Sequence, residues 1–239
     1  MTSNATLSLT YAERLAEALP RVRDRIAAAA SAAGRDATSV RLVAVTKAHP
    51  VEAVLAALGA GLTDVGENRV EELEHKVGLL GRHAATWHMI GHLQSRKART
   101  AAALSDVIHS VDSVKLGERI SRFAVEEGQT VSVLIQVNSS GEASKSGFRP
   151  EEASDDILML ASLPGIQVDG LMTMAPFVDD EAIVTDAFRR LRELHERVRA
   201  QTEDVGCELS MGMTNDLDIA IREGSTMVRI GTALFGART

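Results

Sequence analysis

Cysteine is almost absent from this chain: of 239 residues only Cys207 carries a thiol, so no internal disulfide can form and no cysteine cluster can hold a metal. Aromatics are scarce too, at 3%, with one Trp, one Tyr and five Phe. Ala, Leu, Val and Ile must therefore fill any core, a composition that suits helices packed on a parallel sheet. No apolar run approaches the roughly 18 residues of a membrane span, and the opening MTSNATLSLTYAER has neither the cationic nor the apolar region of a signal peptide. The expectation is a cytoplasmic protein without membrane association. No long Lys/Arg block occurs, and 26 basic against 33 acidic residues give a net charge of −7, which argues against nucleic-acid binding. The stretch FRRLRELHERVRA (188–200) looks basic, but Arg189, Glu193 and Arg197 recur at helical spacing and read as a solvated, salt-bridged face. None of the seven His has metal-ligand spacing, no GxGxxG follows the first strand, and GxSxG is absent. No metal, no dinucleotide fold and no α/β-hydrolase are expected.

With 45% hydrophobic and 25% charged residues, the chain has the composition of a globular protein. The first helical pattern opens with a capping box, Thr10 followed by Glu13, and continues through Leu15, Leu19, Val22 and Ile26 to Gly34. Pro20 in its middle predicts a kink or a split into two helices. Eight apolar runs then read as strands: 41–46, 63–67, 86–90, 106–111, 131–137, 167–173, 207–211 and 226–230. Helical segments lie between them, among them 50–60, 69–80, 113–127, 150–163 and 181–201. Alternating strands and helices imply parallel pairing, and eight units in about 200 residues predict a closed α/β barrel, a (β/α)8 TIM barrel with an extra N-terminal helix. The expected organisation is one domain over 1–239, with a helical extension at 1–34 and the barrel at 40–236.

In such a barrel the functional groups lie at the C-terminal ends of the strands. Alternation places Val43, Val45 and Lys47 in one row. A lysine ending an apolar row is partly desolvated, which favours the neutral amine used in Schiff-base chemistry, although a lysine snorkelling to solvent fits the position equally well. In SMGMTNDLDIAIREGS, Ser210, Gly212 and Thr214 precede a helix whose cap is Thr214 or Asn215. Gly231 and Thr232 follow the last strand; together these loops resemble the phosphate site that barrels build after strands seven and eight. Arg229 alternates with Val228 and Ile230 and so points inward, toward either a ligand nitrogen or a carboxylate such as Glu67. Asn68, His88 and Asn138 complete a polar ring around the mouth.

The segments AVTKAHP (44–50), VGENRVEE (65–72), WHMIGHLQSRK (87–97), HSVDS (109–113), QVNSSGEASKSGF (136–148), GLMTMAP (170–176) and LSMGMTNDLDIAIREGSTMVRIGTALFG (209–236) together resemble the pyridoxal phosphate homeostasis proteins. That resemblance implies a barrel similar to the N-terminal domain of alanine racemase, the fold type III of enzymes using pyridoxal 5′-phosphate (PLP). It implies that Lys47 holds PLP as an aldimine and that Arg229 faces the pyridine nitrogen. Ser210, Gly231, Thr232 and the amides near Gly212 and Met213 would surround the phosphate, with Asn68, His88 and Met172 near the ring. The pattern is broken where His49 replaces a second lysine, Arg69 an aromatic and His92 a proline. Lys145 is kept.

The same resemblance implies a monomer that buffers PLP or delivers it to apo-enzymes, and no residue is assigned a catalytic role. An arginine opposite the ring nitrogen leaves it unprotonated and the ring a weaker electron sink. Racemisation needs a second acid/base across the α-carbon, and the lone tyrosine, Tyr11, lies in the first helix. A low-activity PLP racemase and a cofactor-free Schiff-base aldolase are the alternative readings.

Overall fold

A computed structural model describes residues 9–142 and 145–237. Helix α1 (Tyr11–Ala32) starts at the expected capping box, with the Thr10 hydroxyl accepting from the Glu13 amide and the Glu13 carboxylate accepting from the Thr10 amide. It runs through Pro20 without the expected split. Pro20 and the residue one turn before it, Ala16, are both exposed, so the carbonyl that Pro20 leaves without a donor faces water, while Leu15, Leu19, Val22 and Ile26 anchor the helix on both sides.

The barrel alternates β1 (Arg41–Val45), α2 (Val51–Gly59), β2 (Asp64–Glu67), α3 (Val70–Leu80), β3 (Thr86–Met89), α4 (Ala98–Leu104), β4 (Val107–Val111), α5 (Val114–Glu126), β5 (Val131–Gln136), α6 (Ala153–Ala161), β6 (Ile166–Met172), α7 (Glu181–Arg199), β7 (Val205–Ser210), α8 (Leu217–Arg222), β8 (Met227–Ile230) and α9 (Thr232–Phe235). All eight expected strands form, pair in parallel in chain order, and close through β1 and β8, where Val43 stands opposite Arg229 and Ala44 opposite Ile230. Alternation separates two surfaces at this seam. Ala44, Val228 and Ile230 face outward onto Leu15, Leu19, Val22 and Ile26 of α1, which leaves Val43, Val45 and Arg229 facing the barrel axis. Farther round, Val107, Leu134 and Met172 fill the interior with Met174 beside them.

Helix α1 is also laced to the last third of the chain. Arg25 pairs with Asp218 and donates to the Thr214 carbonyl at 2.9 Å, and Arg35 donates to the Ile221 carbonyl at 3.1 Å. On α7 the ion pairs differ from those expected: Arg189 and Arg190 pair with Asp186 one turn before them, and Arg192 with Glu196 one turn after it.

Candidate functional site

At the C-terminal mouth, a cavity of about 330 Å³ opens between the ends of β1, β6, β7 and β8, lined by Lys47, Asn68, Met213, Arg229, Gly231 and Thr232 among others. That volume is at the lower end of the range for small-molecule pockets. Six of the ten expected ligand residues therefore meet on one wall.

The other four stand behind it. Ser210, His88 and Met172 are buried below the cavity floor. The expected position of His88 at the rim was wrong, because it is the third residue of a four-residue strand and its ring stays within the barrel, bonded to Asp64 and His109. Ser210 turns its hydroxyl inward to His109 and Arg229 instead of outward to the loop, and Met172 packs on Val107 and Leu134. Gly212 has φ +98, and a Cβ there would lie 2.6 Å from the Ala220 Cβ, so its role is to turn the chain sharply at the end of β7. Asn138 is likewise absent from the wall, donating to the Glu142 and Lys145 carbonyls. Lys145 itself donates to the Ala175 carbonyl and pairs with Glu142.

Lys47 is held from both sides. The Thr46 carbonyl accepts from Lys76 Nζ at 2.8 Å, the Thr46 hydroxyl donates to Glu67, and Lys76 also bonds Glu67 at 2.6 Å. On the other side Ala48, at φ +59, donates its amide to Glu72 at 2.6 Å. A non-glycine residue in that region is a strained position that its surroundings must enforce. Burial pushes the Glu67 carboxyl above its ordinary value although Lys76 opposes this. Glu67 is thus the partner of Lys76, and the expected alternative of an Arg229–Glu67 pair is excluded.

Arg229 is almost wholly buried, and burial brings its guanidinium down to about 10, with Asp216 opposing; it remains a cation at neutral pH. Nη1 donates to the Ser210 carbonyl at 2.8 Å and hydroxyl at 2.6 Å, and Nη2 to the Thr173 carbonyl at 2.9 Å. Of its five N–H groups, the one on Nε and one on Nη2 have no acceptor among the described residues, and the side chain lines the cavity. Those donors are available to a ligand acceptor.

One end of the cavity is formed by two loops, after β7 and after β8. Gly231 passes β1 so closely that a Cβ would lie 3.1 Å from the Val45 carbonyl oxygen. Thr214 accepts from the Ala233 amide at 3.3 Å and so ties the two loops together. Neither Thr214 nor Asn215 caps α8. Asp216 occupies the cap position, and its carboxylate accepts from the Met213 amide at 2.5 Å, folding the loop back on itself. Both residues line the cavity instead. So does His49, which sequence reasoning noted only as a departure; it accepts or donates at 3.1 Å with Tyr11. Continuing the row of Val43, Val45 and Lys47 by one step reaches it. The other two departures, Arg69 and His92, are absent from the wall; His92 bonds Asp112 at 3.1 Å.

Comparison with known proteins finds relatives along nearly the whole chain. The alanine racemase N-terminal domain family matches residues 18–239. The chain is 43% identical over 229 residues to the pyridoxal phosphate homeostasis protein of Pseudomonas aeruginosa, covering 96% of each chain. A Bifidobacterium adolescentis crystal structure superimposes with TM-score 0.88 at 42% identity, covering 98% of both chains. PipY of Synechococcus elongatus with PLP bound gives TM-score 0.78 at 37% identity, over 90% of this chain and 100% of that one.

Proposed function

The chain belongs to the pyridoxal phosphate homeostasis protein family, built on the alanine racemase N-terminal domain, and from that premise we propose that it binds PLP and serves in its homeostasis, holding the cofactor on Lys47 and buffering it or delivering it to other enzymes. One observation carries the reading: an amine at the end of β1, a buried arginine on β8 with two donors left over among the described residues, and the Gly231–Thr232 turn share a single cavity. The residues fit the group. An aldehyde, a ring nitrogen and a phosphate each require a different partner, and each partner is present.

When bound, the cofactor supplies an aldehyde that condenses reversibly with a primary amine. Lys47 provides that amine, and the brackets at Thr46 and Ala48 keep its backbone fixed while the side chain reacts. Arg229 offers N–H to the ring nitrogen and, as a permanent donor, keeps a proton from residing there. Thr232, Thr214 and Asn215 offer polar contacts to the phosphate, with Gly231 leaving room for the loop backbone to approach; the Met213 amide, expected there too, is donated to Asp216 instead. Asn68, on the same wall, would offer its amide to the bound group. Ser210, His88, Met172 and Gly212 act from behind the wall. A competing primary amine, free or on an apo-enzyme, would take over the bond to the aldehyde carbon and release the Lys47 amine.

We read the chain as one domain, a cytoplasmic monomer; among the described residues no helix is long and apolar enough to cross a membrane. The test is a transfer assay from PLP-loaded protein to an apo PLP enzyme, with a trap for released aldehyde. Activation at a rate independent of the trap supports direct delivery, trap-sensitive activation supports buffering, and a protein that retains no PLP overturns the reading. One contact favours a second reading, a low-activity PLP racemase: the hydroxyl of the lone tyrosine, Tyr11, lies 3.1 Å from Nδ1 of His49, which lines the cavity. Exchange of α-deuterium in amino acids at enzymatic turnover rates, lost in Tyr11→Phe, supports it.

A further inference from the structure

Beneath the cavity a line of polar side chains crosses the barrel. Asp64 Oδ1 lies 3.0 Å from His88 Nε2, His88 Nδ1 lies 2.8 Å from His109 Nε2, and His109 Nδ1 lies 3.0 Å from the Ser210 hydroxyl, which is 2.6 Å from Arg229 Nη1. His88, His109 and Ser210 are fully buried. Asp64, the first residue of β2, is at the opposite mouth of the barrel, where Arg41 approaches it at 3.9 Å and also pairs with Glu208.

The protons in this line can be assigned by elimination. Arginine only donates, so the Ser210 oxygen accepts from it and the Ser210 hydroxyl proton goes to His109 Nδ1. His109 then carries its proton on Nε2 and donates to His88 Nδ1. His88 in turn carries its proton on Nε2 and donates to the Asp64 carboxylate. Each bond has one donor and one acceptor, and all four point the same way, from the arginine cation to the carboxylate. In the reverse arrangement the Ser210 oxygen would receive two donors and its own proton would have no acceptor. Burial, reinforced by the neighbouring His88, Arg229 and Arg41, holds His109 well below its ordinary value, in keeping with a neutral ring. Burial alone would raise the Asp64 carboxyl, but its bond to His88 and the Arg41 charge bring it below the ordinary value.

We propose that Asp64, His88 and His109, acting through Ser210, are positioning residues for Arg229, forming a one-directional hydrogen-bond chain that fixes the guanidinium and so tunes the ring electronics of the bound cofactor. This inference rests on the reading of Arg229 as the partner of the ring nitrogen. Polarised chains strengthen each bond in sequence, and a guanidinium locked on one side presents its unused N–H groups at one angle only.

The first test needs no cofactor. Side-chain nitrogen NMR of the PLP-stripped protein at neutral pH is expected to show both His88 and His109 as neutral rings protonated on Nε2; a charged ring or an Nδ1–H tautomer at either position overturns the chain. The second compares His109→Leu with His109→Gln, which retains one donor and one acceptor, in PLP-loaded protein. Leu is expected to shift the absorption maximum of the lysine-bound cofactor and weaken PLP binding roughly tenfold, with Gln restoring at least part of both. A wild-type spectrum and affinity in His109→Leu overturns the proposal. If His109→Leu does not fold, Ser210→Ala breaks the same line by removing one hydroxyl and carries the same two outcomes. Loss of PLP from the wild-type protein, by contrast, defeats the Arg229 reading and leaves the NMR result standing.

Discussion

The two sides of the barrel interior are built differently. Toward β4, β5 and β6 it is apolar, with Val107, Leu134 and Met172 in contact. Toward β2, β3, β7 and β8 it is polar, occupied by Asp64, His88, Ser210 and Arg229, with His109 reaching across from β4 to join them. The apolar side contributes burial and packing. On the polar side, desolvation of charges offsets most of what their pairing returns, so its residues are explained by the geometry they impose on the cavity. A barrel can divide its interior in this way because alternate strands contribute separate layers of side chains.

That division is tested most severely by Lys47→Ala. The near-visible absorbance of lysine-bound cofactor is expected to vanish while the far-UV circular dichroism stays that of the parent; an unchanged visible spectrum would remove the basis of the functional reading. Leu134→Ala, on the apolar side, should do the converse: a loss of about 2–5 kcal/mol in urea unfolding, with PLP still bound at saturating concentration. A cost below that range would mean the apolar side is not the better packed one. An intermediate effect is expected of His109 as pH is lowered. Its folded value lies well below the ordinary 6.5, so the unfolded chain takes up a proton that the folded one refuses. Its contribution to stability is complete above about 6.5 and is lost as pH falls below it, by up to about 1.4 kcal/mol per pH unit. His109→Gln should flatten that slope between pH 6.5 and 5, and equal slopes in the two proteins would contradict the buried neutral ring. The smallest effect should come from Thr232→Val, which removes one hydroxyl at the cavity and should weaken PLP retention by about 0.5–1.5 kcal/mol; an unaltered dissociation constant would show that this hydroxyl makes no contact.

The fold was legible because period-two apolar runs report strands directly, and all eight formed within a residue or two of their expected bounds. The row of Val43, Val45 and Lys47, and the inward direction of Arg229, followed from the same alternation. What alternation does not report is depth along the barrel axis. His88 and Ser210 have the right facing but sit one layer below the cavity, and only the three-dimensional register separates a residue on the floor from one beneath it. Thr214 and Asn215 were read as helix caps since capping is the commoner use of such residues; the turn at Gly212 carries them over the cavity instead. The contact between Tyr11 and His49 spans 38 positions and leaves no local trace in the sequence. Of the two outcomes expected at Pro20, the split does not occur, because a proline's effect depends on which side of the helix its missing bond faces.

The lacing of α1 to distant residues bears on how the protein is made. Arg25 meets Asp218 across 193 positions, and Arg35 meets Ile221 across 186. Contacts of such separation are slow to form, since the whole intervening chain must be gathered first. On the ribosome, α1 emerges early and waits for nearly all of the barrel before its own apolar face is covered. The loop carrying Thr214, clamped by Arg25, takes shape only at that final closure, so the cavity it lines is completed only once β8 has emerged.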